Sequence, residues 1–300
     1  MGMSLLTTGD IADARVHFDS AIALYDPAEH RSLATRFGQD VGVAILSWRS
    51  LALWLLGYPD AALADAGQAI KEAREIGQAP SLMYALVVTT FTLIHCANSA
   101  ATTTQLDEAA ALAAEKGVLL WKATGMTNRG CLWALSGKAA DAIQMISSGI
   151  TAFRSTGSTL FTPWHLSNLA KAYAELGQFE DAWRCLDEAM MAVETTKETW
   201  CAADLHRMAG EIVLLSSEPN AEKAQAHFER ALAIASEQQA KSFELRGAMS
   251  MARLWRDQGK RDEARELLAP VYGWFTEGFD TLDLKDAKAL LDELACVSFS

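Results

Sequence analysis

A glycine followed five residues later by an alanine recurs along this chain at nearly regular intervals. The pairs are Gly9/Ala14, Gly57/Ala62, Gly137/Ala142, Gly177/Ala182 and Gly259/Ala264. Successive glycines are 48, 80, 40 and 82 residues apart, which indicates one longer unit followed by multiples of about 40. A fixed period of this size is typical of solenoids, in which supersecondary units stack in a row. Solenoids usually present a binding surface, so the period bears on function as well as fold.

The residues around these glycines resemble the tetratricopeptide repeat, a pair of antiparallel helices. The best-preserved copy contains Leu166, Leu169, Ala170, Tyr173, Gly177, Ala182, Leu186 and Ala189. Small residues at Gly130, Ala170, Gly210 and Ala252 are expected to let the two helices of a pair approach closely. The turn glycine is expected to end the first helix, because glycine adopts the left-handed conformation at little cost.

Two turns lack the glycine and must be placed by other signals. One is predicted at 216–220, before Ala224 and Phe228, and the other near Asn98–Thr104, where Asn, Ser and Thr cluster. The period also exceeds that of the standard repeat, so the segment Tyr25–Gly42 is expected to hold a long inter-repeat loop.

The sequence therefore predicts an all-α fold, a right-handed α-solenoid of about seven antiparallel, tetratricopeptide-like helix pairs. We expect one superhelical domain over residues 1–300, with an incomplete first repeat and a C-terminal capping helix at about 280–294.

The net charge of −12 argues against binding to a nucleic-acid backbone, which needs clustered Lys and Arg. The basic residues within Arg246–Arg265 alternate with acidic ones, so a solvated helix face is expected there. The start Met1–Asp10 lacks the pattern of a secretory signal, and the apolar stretch Leu82–Ala97 is too short to span a membrane. Five cysteines without CxxC spacing fit a reducing compartment. We expect a cytoplasmic protein that binds neither membrane nor nucleic acid.

Motifs that carry catalytic chemistry are absent from the sequence. It contains no phosphate-binding loop, no GxGxxG and no HExxH, and its six histidines are scattered. The one tight cluster of potential metal ligands is Asp26, Glu29 and His30, which we expect to cap the following helix. The sequence thus predicts no catalytic residue, no cofactor and no metal, and the chain is not expected to be an enzyme.

Candidate binding residues come from the family resemblance, which implies that the leading helix of each pair lines the concave surface. Its inward positions lie at set distances before the turn glycine, and they select Asn128, Trp164, Asn168, Lys171, Arg207, Glu211, Arg246 and Arg253. Amides at Asn128 and Asn168 would form a ladder for an extended peptide, and Lys171 and Arg207 would receive a carboxylate. The alternative for each residue is a solvated groove lining.

Several segments together resemble the C-terminal repeat region of large bacterial class III adenylate/guanylate cyclase–ATPase regulators. They are Tyr25–His30, Arg36–Asp40, Leu51–Pro59, Asp204–Glu211, Ala240–Arg246 and Leu268–Phe279. The resemblance implies a non-catalytic protein- or peptide-binding scaffold that serves as the regulatory or docking module of a signalling protein. Its partner would be a protein or peptide, or the cyclase/ATPase portion of the same system. The alternative is a small-molecule (inducer) sensor of an ATPase-coupled regulator, which a deep groove around Trp164, Asn168 and Arg207 would favour.

Overall fold

The computed structural model describes residues 1–296, and its regular elements are helices. The first nine are α1 (Gly2–Thr7), α2 (Ile11–Leu24), α3 (Pro27–His30), α4 (Ala34–Phe37), α5 (Val41–Leu55), α6 (Pro59–Ile76), α7 (Ala79–His95), α8 (Ser99–Lys116) and α9 (Leu119–Leu135). The others are α10 (Ala139–Ser155), α11 (Thr162–Glu175), α12 (Phe179–Thr196), α13 (Ala202–Leu215), α14 (Ala221–Glu237), α15 (Lys241–Asp257), α16 (Arg261–Gly273) and α17 (Leu282–Ala295).

These helices form the stacked pairs of an α-solenoid, so the predicted fold class is confirmed. Each leading helix from α5 to α15 packs against the trailing helix that follows it, and the short α1 pairs with α2. Helix α17 packs against α15 and α16 at the end of the array. The domain limits and the incompleteness of the first repeat stay predictions. No helix in residues 1–296 has both the length and the apolarity needed to cross a bilayer.

The turn between α7 and α8 lies at residues 96–98, so its expected position near Asn98–Thr104 was wrong. The cluster of Asn, Ser and Thr begins α8 instead, and the Asn98 side chain accepts a hydrogen bond from the Ala101 amide. Ala97 adopts φ +55° at the place that Gly137 occupies with φ +72° in the next repeat. The 40-residue period therefore continues through this repeat with alanine in place of glycine.

The segment Tyr25–Gly42 is more ordered than the long loop expected from the sequence. It contains α3, a 3-10 turn at Arg31–Leu33 and α4. The Asp26 carboxylate accepts a hydrogen bond from the Ala28 amide at 2.8 Å, which confirms its predicted capping role. This segment thus leads the chain from the first repeat to α5 through a series of short helical turns.

Glycines within the helices allow the members of a pair to approach closely, as expected. A Cβ atom at Gly149 on α10 would lie 2.9 Å from the backbone nitrogen of Thr127 on α9. A Cβ atom at Gly130 would lie 2.5 Å from the side chain of Ile146. The two backbones are therefore in direct contact, and no larger side chain fits between them.

The superhelix curves until its N-terminal repeats contact its C-terminal repeats. Its centre holds a set of buried rings, here termed the central aromatic cluster: Trp48, Trp54, Phe91, His95, Phe161, Trp164, Trp200 and Phe243. Phe243 on α15 contacts Trp54 on α5 edge-on, with ring centroids 5.3 Å apart. At one rim the Thr199 amide donates to the Thr7 carbonyl at 2.9 Å. The leading helices thus surround a filled centre where an open concave surface was expected.

Candidate functional site

Trp164 lies in the central aromatic cluster and does not line an open groove. Only 1% of its surface is exposed, and its ring centroid lies 5.2 Å from Phe91 and 5.4 Å from His95. A ring of this size contributes several kcal/mol of hydrophobic stabilisation when buried. Its expected contact with a ligand would require the cluster to open.

The two amides expected to form a ladder are both buried and hydrogen-bonded within the protein. Asn128 donates from Nδ2 to Thr90 Oγ1 at 2.8 Å, and its Oδ1 lies 3.1 Å from His165 Nε2. Asn168 donates to the carbonyl oxygen of Trp164, one turn earlier in its own helix. Neither amide can therefore pair with an extended peptide in this structure, which corrects the expected ladder.

Helices α13 and α15 bring four polar side chains together, here termed the charged cluster: Asp204, Arg207, Glu211 and Ser250. Arg207 donates from Nε to Asp204 at 2.6 Å and from Nη1 to Glu211 at 2.7 Å. Ser250 on α15 donates to the same Glu211 carboxylate at 2.8 Å. Glu211 is the most exposed of the three charged side chains, at 34%, and is the member that a partner can reach.

Burial and charge oppose each other in the charged cluster. Burial alone would raise the pKa of Asp204, but the nearby guanidinium groups of Arg207 and Arg246 outweigh it and lower that pKa. Burial likewise opposes the positive charge of Arg207, yet its two carboxylate partners raise the pKa of the guanidinium. Asp204 and Arg207 are therefore both charged at neutral pH, and each stabilises the charge of the other.

Arg246 joins distant parts of the fold. It donates from Nε to Asp283 at 2.9 Å and from Nη2 to the carbonyl oxygen of His95 at 2.9 Å. Its guanidinium also lies 4.9 Å from the ring centroid of Trp54. These contacts occupy the side chain, so its placement fits a structural role better than the expected contact with a ligand.

The other two candidate residues lie outside these networks. Lys171 forms an ion pair with Glu175 on the same helix. Arg253 is half-buried on α15 and has no ion pair within the part of the chain that the structure describes. The structure thus unites Arg207 with Glu211 and leaves Lys171 and Arg253 apart, while binding by any of the eight residues stays a prediction.

A small aromatic cavity opens beside the central aromatic cluster, between the middle of α7 and the N-terminal end of α9. Its volume is about 140 Å³. The aromatic cavity is lined by Met3, Trp48, Tyr84, Val88, Phe91, Leu120, Trp121, Thr124, Phe153, Ser158, Leu160, Phe161 and His165. The positions that the sequence predicted to face inward do not include two residues of this lining, Tyr84 and His165. Tyr84 lies in a repeat whose turn has no glycine to count from, and His165 lies one position beyond Trp164.

A larger groove of about 450 Å³ lies where the α1–α2 turn meets α12, α13 and α14. Its rim carries charges of both signs, with Asp10, Glu194 and Glu237 near Arg230. Because charges of both signs line this groove, it favours neither an anionic nor a cationic ligand.

Comparisons with known proteins bear on the family and the fold. The tetratricopeptide repeat family matches residues 163–188 and 245–270, which are parts of two of the helix pairs described above. The fold is tetratricopeptide-like. No curated protein matches the sequence.

Similar solved structures support this fold over nearly the whole chain. The Rap conjugation gene regulator of plasmid pLS20, in complex with the Phr* peptide, has a TM-score of 0.65 and 11% identity, covering 99% of this chain and 75% of that one. The apo form of RapI has a TM-score of 0.56 and 12% identity, covering 97% and 96%. The apo quorum sensor NprR from B. thuringiensis has a TM-score of 0.53 and 14% identity, covering 84% and 70%. At these identities the likeness concerns the fold alone.

Proposed function

We propose that this chain is a non-catalytic regulatory module that binds a peptide or protein through the charged cluster. The observation that carries the proposal is the convergence of Asp204, Arg207, Glu211 and Ser250 from two leading helices, with Glu211 accessible. A negative group held in place by two donors suits a basic or amide-bearing segment of a partner. The Rap regulator of similar fold, which is in complex with a peptide, supports this class of ligand.

Four of the five cysteines are buried, which argues against their use as catalytic nucleophiles. Burial raises the pKa of Cys96 to about 12 and that of Cys185 to about 11, and it also raises the pKa of Cys131 and of Cys201. Because the thiolate is the nucleophile, these four side chains are unreactive at neutral pH.

We propose that the partner belongs to a signalling protein, such as the cyclase/ATPase portion that the sequence resemblance implies.

Selection from a random linear peptide library displayed on phage tests this function, followed by calorimetry with the enriched peptides. The variant Glu211→Gln keeps the shape and the bond to Ser250 but removes the charge, so we expect binding at least about fivefold weaker. The matched control is Glu188→Gln, whose carboxylate pairs with Arg154 on the outer face of the array. No enrichment over an unrelated protein, or equal affinity for Glu211→Gln and wild type, would contradict the proposal.

The aromatic cavity favours a second candidate function, a small-molecule sensor. A pocket enclosed mainly by aromatic and aliphatic side chains, with few polar groups, is the usual form of a ligand site. The small volume and the mainly aromatic lining of the cavity restrict the size and the polarity of that ligand.

A further inference from the structure

The aromatic cavity has the dimensions of one aromatic ring. Its volume is about 140 Å³. In another protein, an engineered apolar cavity of about 150 Å³ stays dry and binds benzene. The half-buried side chains of Met3, Leu120, Ser158 and Leu160 form its outer part, so a ligand can enter from the surface.

Aromatic side chains shape the walls of this cavity. Trp48 stacks on Phe161 with parallel rings 5.3 Å apart, and Tyr84 meets Trp121 edge-on at 5.4 Å. The Tyr84 hydroxyl accepts a hydrogen bond from Trp48 Nε1, which holds both rings in place. Such walls favour a flat apolar ligand that contacts them by stacking or by its edge.

A chain of hydrogen bonds determines which nitrogen of His165 carries the proton. Thr90 Oγ1 donates to the Val87 carbonyl at 2.6 Å, so it accepts from Asn128 Nδ2. The Asn128 oxygen therefore faces His165 Nε2 at 3.1 Å, and that nitrogen must be the donor. His165 Nδ1 is then a hydrogen-bond acceptor.

This acceptor has no partner in the part of the chain that the structure describes. His165 is 1% exposed, and its Nδ1 atom is buried without a hydrogen bond. Burial lowers the pKa of the ring to about 3, so His165 is neutral and Nδ1 keeps its lone pair at physiological pH. A buried polar atom without a partner is unfavourable, and a ligand that donates to it would relieve that cost.

We propose that the aromatic cavity binds a single aromatic ring that carries one hydrogen-bond donor, which His165 Nδ1 accepts. A phenol has this chemistry, either as a free compound or as the tyrosine side chain of a peptide. If the ring belongs to a free compound, that compound is the ligand of the small-molecule sensor proposed above. If the ring is a tyrosine side chain, its binding rests on the proposed binding of peptides.

Titration with p-cresol and with toluene, followed by NMR, tests the inference, because the two compounds differ only in the hydroxyl. We expect saturable binding of p-cresol with one site, about tenfold tighter than toluene. Substitution Val88→Phe fills the cavity and is expected to abolish binding of both compounds. Absence of saturable p-cresol binding to wild type, or undiminished binding to a folded Val88→Phe variant, overturns the proposal.

The role of His165 is tested separately. In His165→Phe the preference for p-cresol over toluene is expected to vanish, whereas the control His227→Phe on α14 retains it. If His165→Phe does not fold, the ¹⁵N resonance of Nδ1 in the wild-type protein replaces it as the readout. That resonance is expected to shift with p-cresol but not with toluene, and an equal response to both overturns the assignment of the acceptor.

N-acetyl-tyrosinamide distinguishes the two sources of the ring. Binding at least as tight as that of p-cresol assigns the cavity to a tyrosine side chain, and binding of p-cresol alone assigns it to a free phenol. Phage-displayed peptides that bind at Glu211 while p-cresol does not bind would refute this inference and leave the peptide-binding function standing.

Discussion

Arg246 donates a hydrogen bond to the carbonyl oxygen of His95, which lies 151 residues earlier in the chain, at 2.9 Å. The bond satisfies a carbonyl at the C-terminal end of α7, where a positive charge also interacts favourably with the helix dipole. It joins the last complete repeat to the third and closes the superhelix beside Trp54. The strength of this closure can be measured by substitution.

Replacing Arg246 with methionine is expected to lower the free energy of unfolding by about 2 kcal/mol, because it leaves a buried carbonyl and Asp283 without their donor. Urea denaturation monitored by circular dichroism measures the change. The control is Arg253→Met on the same helix, where we expect a change within about 0.5 kcal/mol. Equal effects of the two substitutions would show that the bonds from Arg246 to His95 and Asp283 contribute nothing to stability.

Substitution Ala97→Gly is expected to stabilise the protein by about 0.5–1 kcal/mol. An alanine at φ +55° is strained by roughly 1–2 kcal/mol, and the greater entropy of glycine in the unfolded chain offsets part of the gain. The reciprocal change Gly137→Ala has space for its Cβ atom and φ +72°, so it should destabilise by a similar amount. Thermal melts of both variants test the pair, and a loss of stability in Ala97→Gly contradicts the argument.

Close contact between α9 and α10 is tested at Gly149. An added methyl group would lie 2.9 Å from the Thr127 nitrogen, so Gly149→Ala should destabilise by about 1–3 kcal/mol. Gly125 lies within α9 and has no atom within 4 Å of an added Cβ, so Gly125→Ala should stabilise by about 0.5–1 kcal/mol through helix propensity. Chemical denaturation of the two variants should give changes of opposite sign, and the same sign in both would refute the contact.

Glu198 is expected to make stability depend on pH. Its buried carboxylate accepts hydrogen bonds from the Phe161 amide at 2.8 Å and from Trp200 Nε1 at 3.0 Å. Burial raises its pKa from 4.5 to about 7, although these two donors lower it in part. The folded protein therefore binds more protons than the unfolded chain between about pH 4.5 and 7, and the free energy of unfolding falls as pH rises through that interval.

Substitution Glu198→Gln removes this titration and keeps an oxygen for both donors. Relative to wild type, the variant should gain up to about 3 kcal/mol of stability as pH rises from 4.5 to 8. Urea midpoints measured at intervals of half a pH unit give the difference. A constant difference across this range would mean that Glu198 titrates alike in the folded and unfolded states.

The sequence by itself determined the helix pairs and their stacking. The recurrence of Gly-x4-Ala predicts a turn, a close contact between helices and a period, because each depends on residues within about forty positions of one another. Turns with substituted residues were harder to locate. Ala97 takes the left-handed conformation without the residue type that normally indicates it, and the cluster of Asn, Ser and Thr after it marks the start of a helix.

The tertiary structure alone decided what the inner face contains. Curvature accumulates from a small rotation at each repeat interface, so the meeting of Phe243 with Trp54 depends on all the interfaces between them. Trp164, which local register had placed in an open groove, is buried against Phe91, His95 and Trp200 from other repeats. The closure of the superhelix also places Arg246 against His95 and leaves a filled centre bordered by the charged cluster and the aromatic cavity. Local periodicity does not encode such contacts, because residues in non-adjacent repeats share no sequence pattern that relates them.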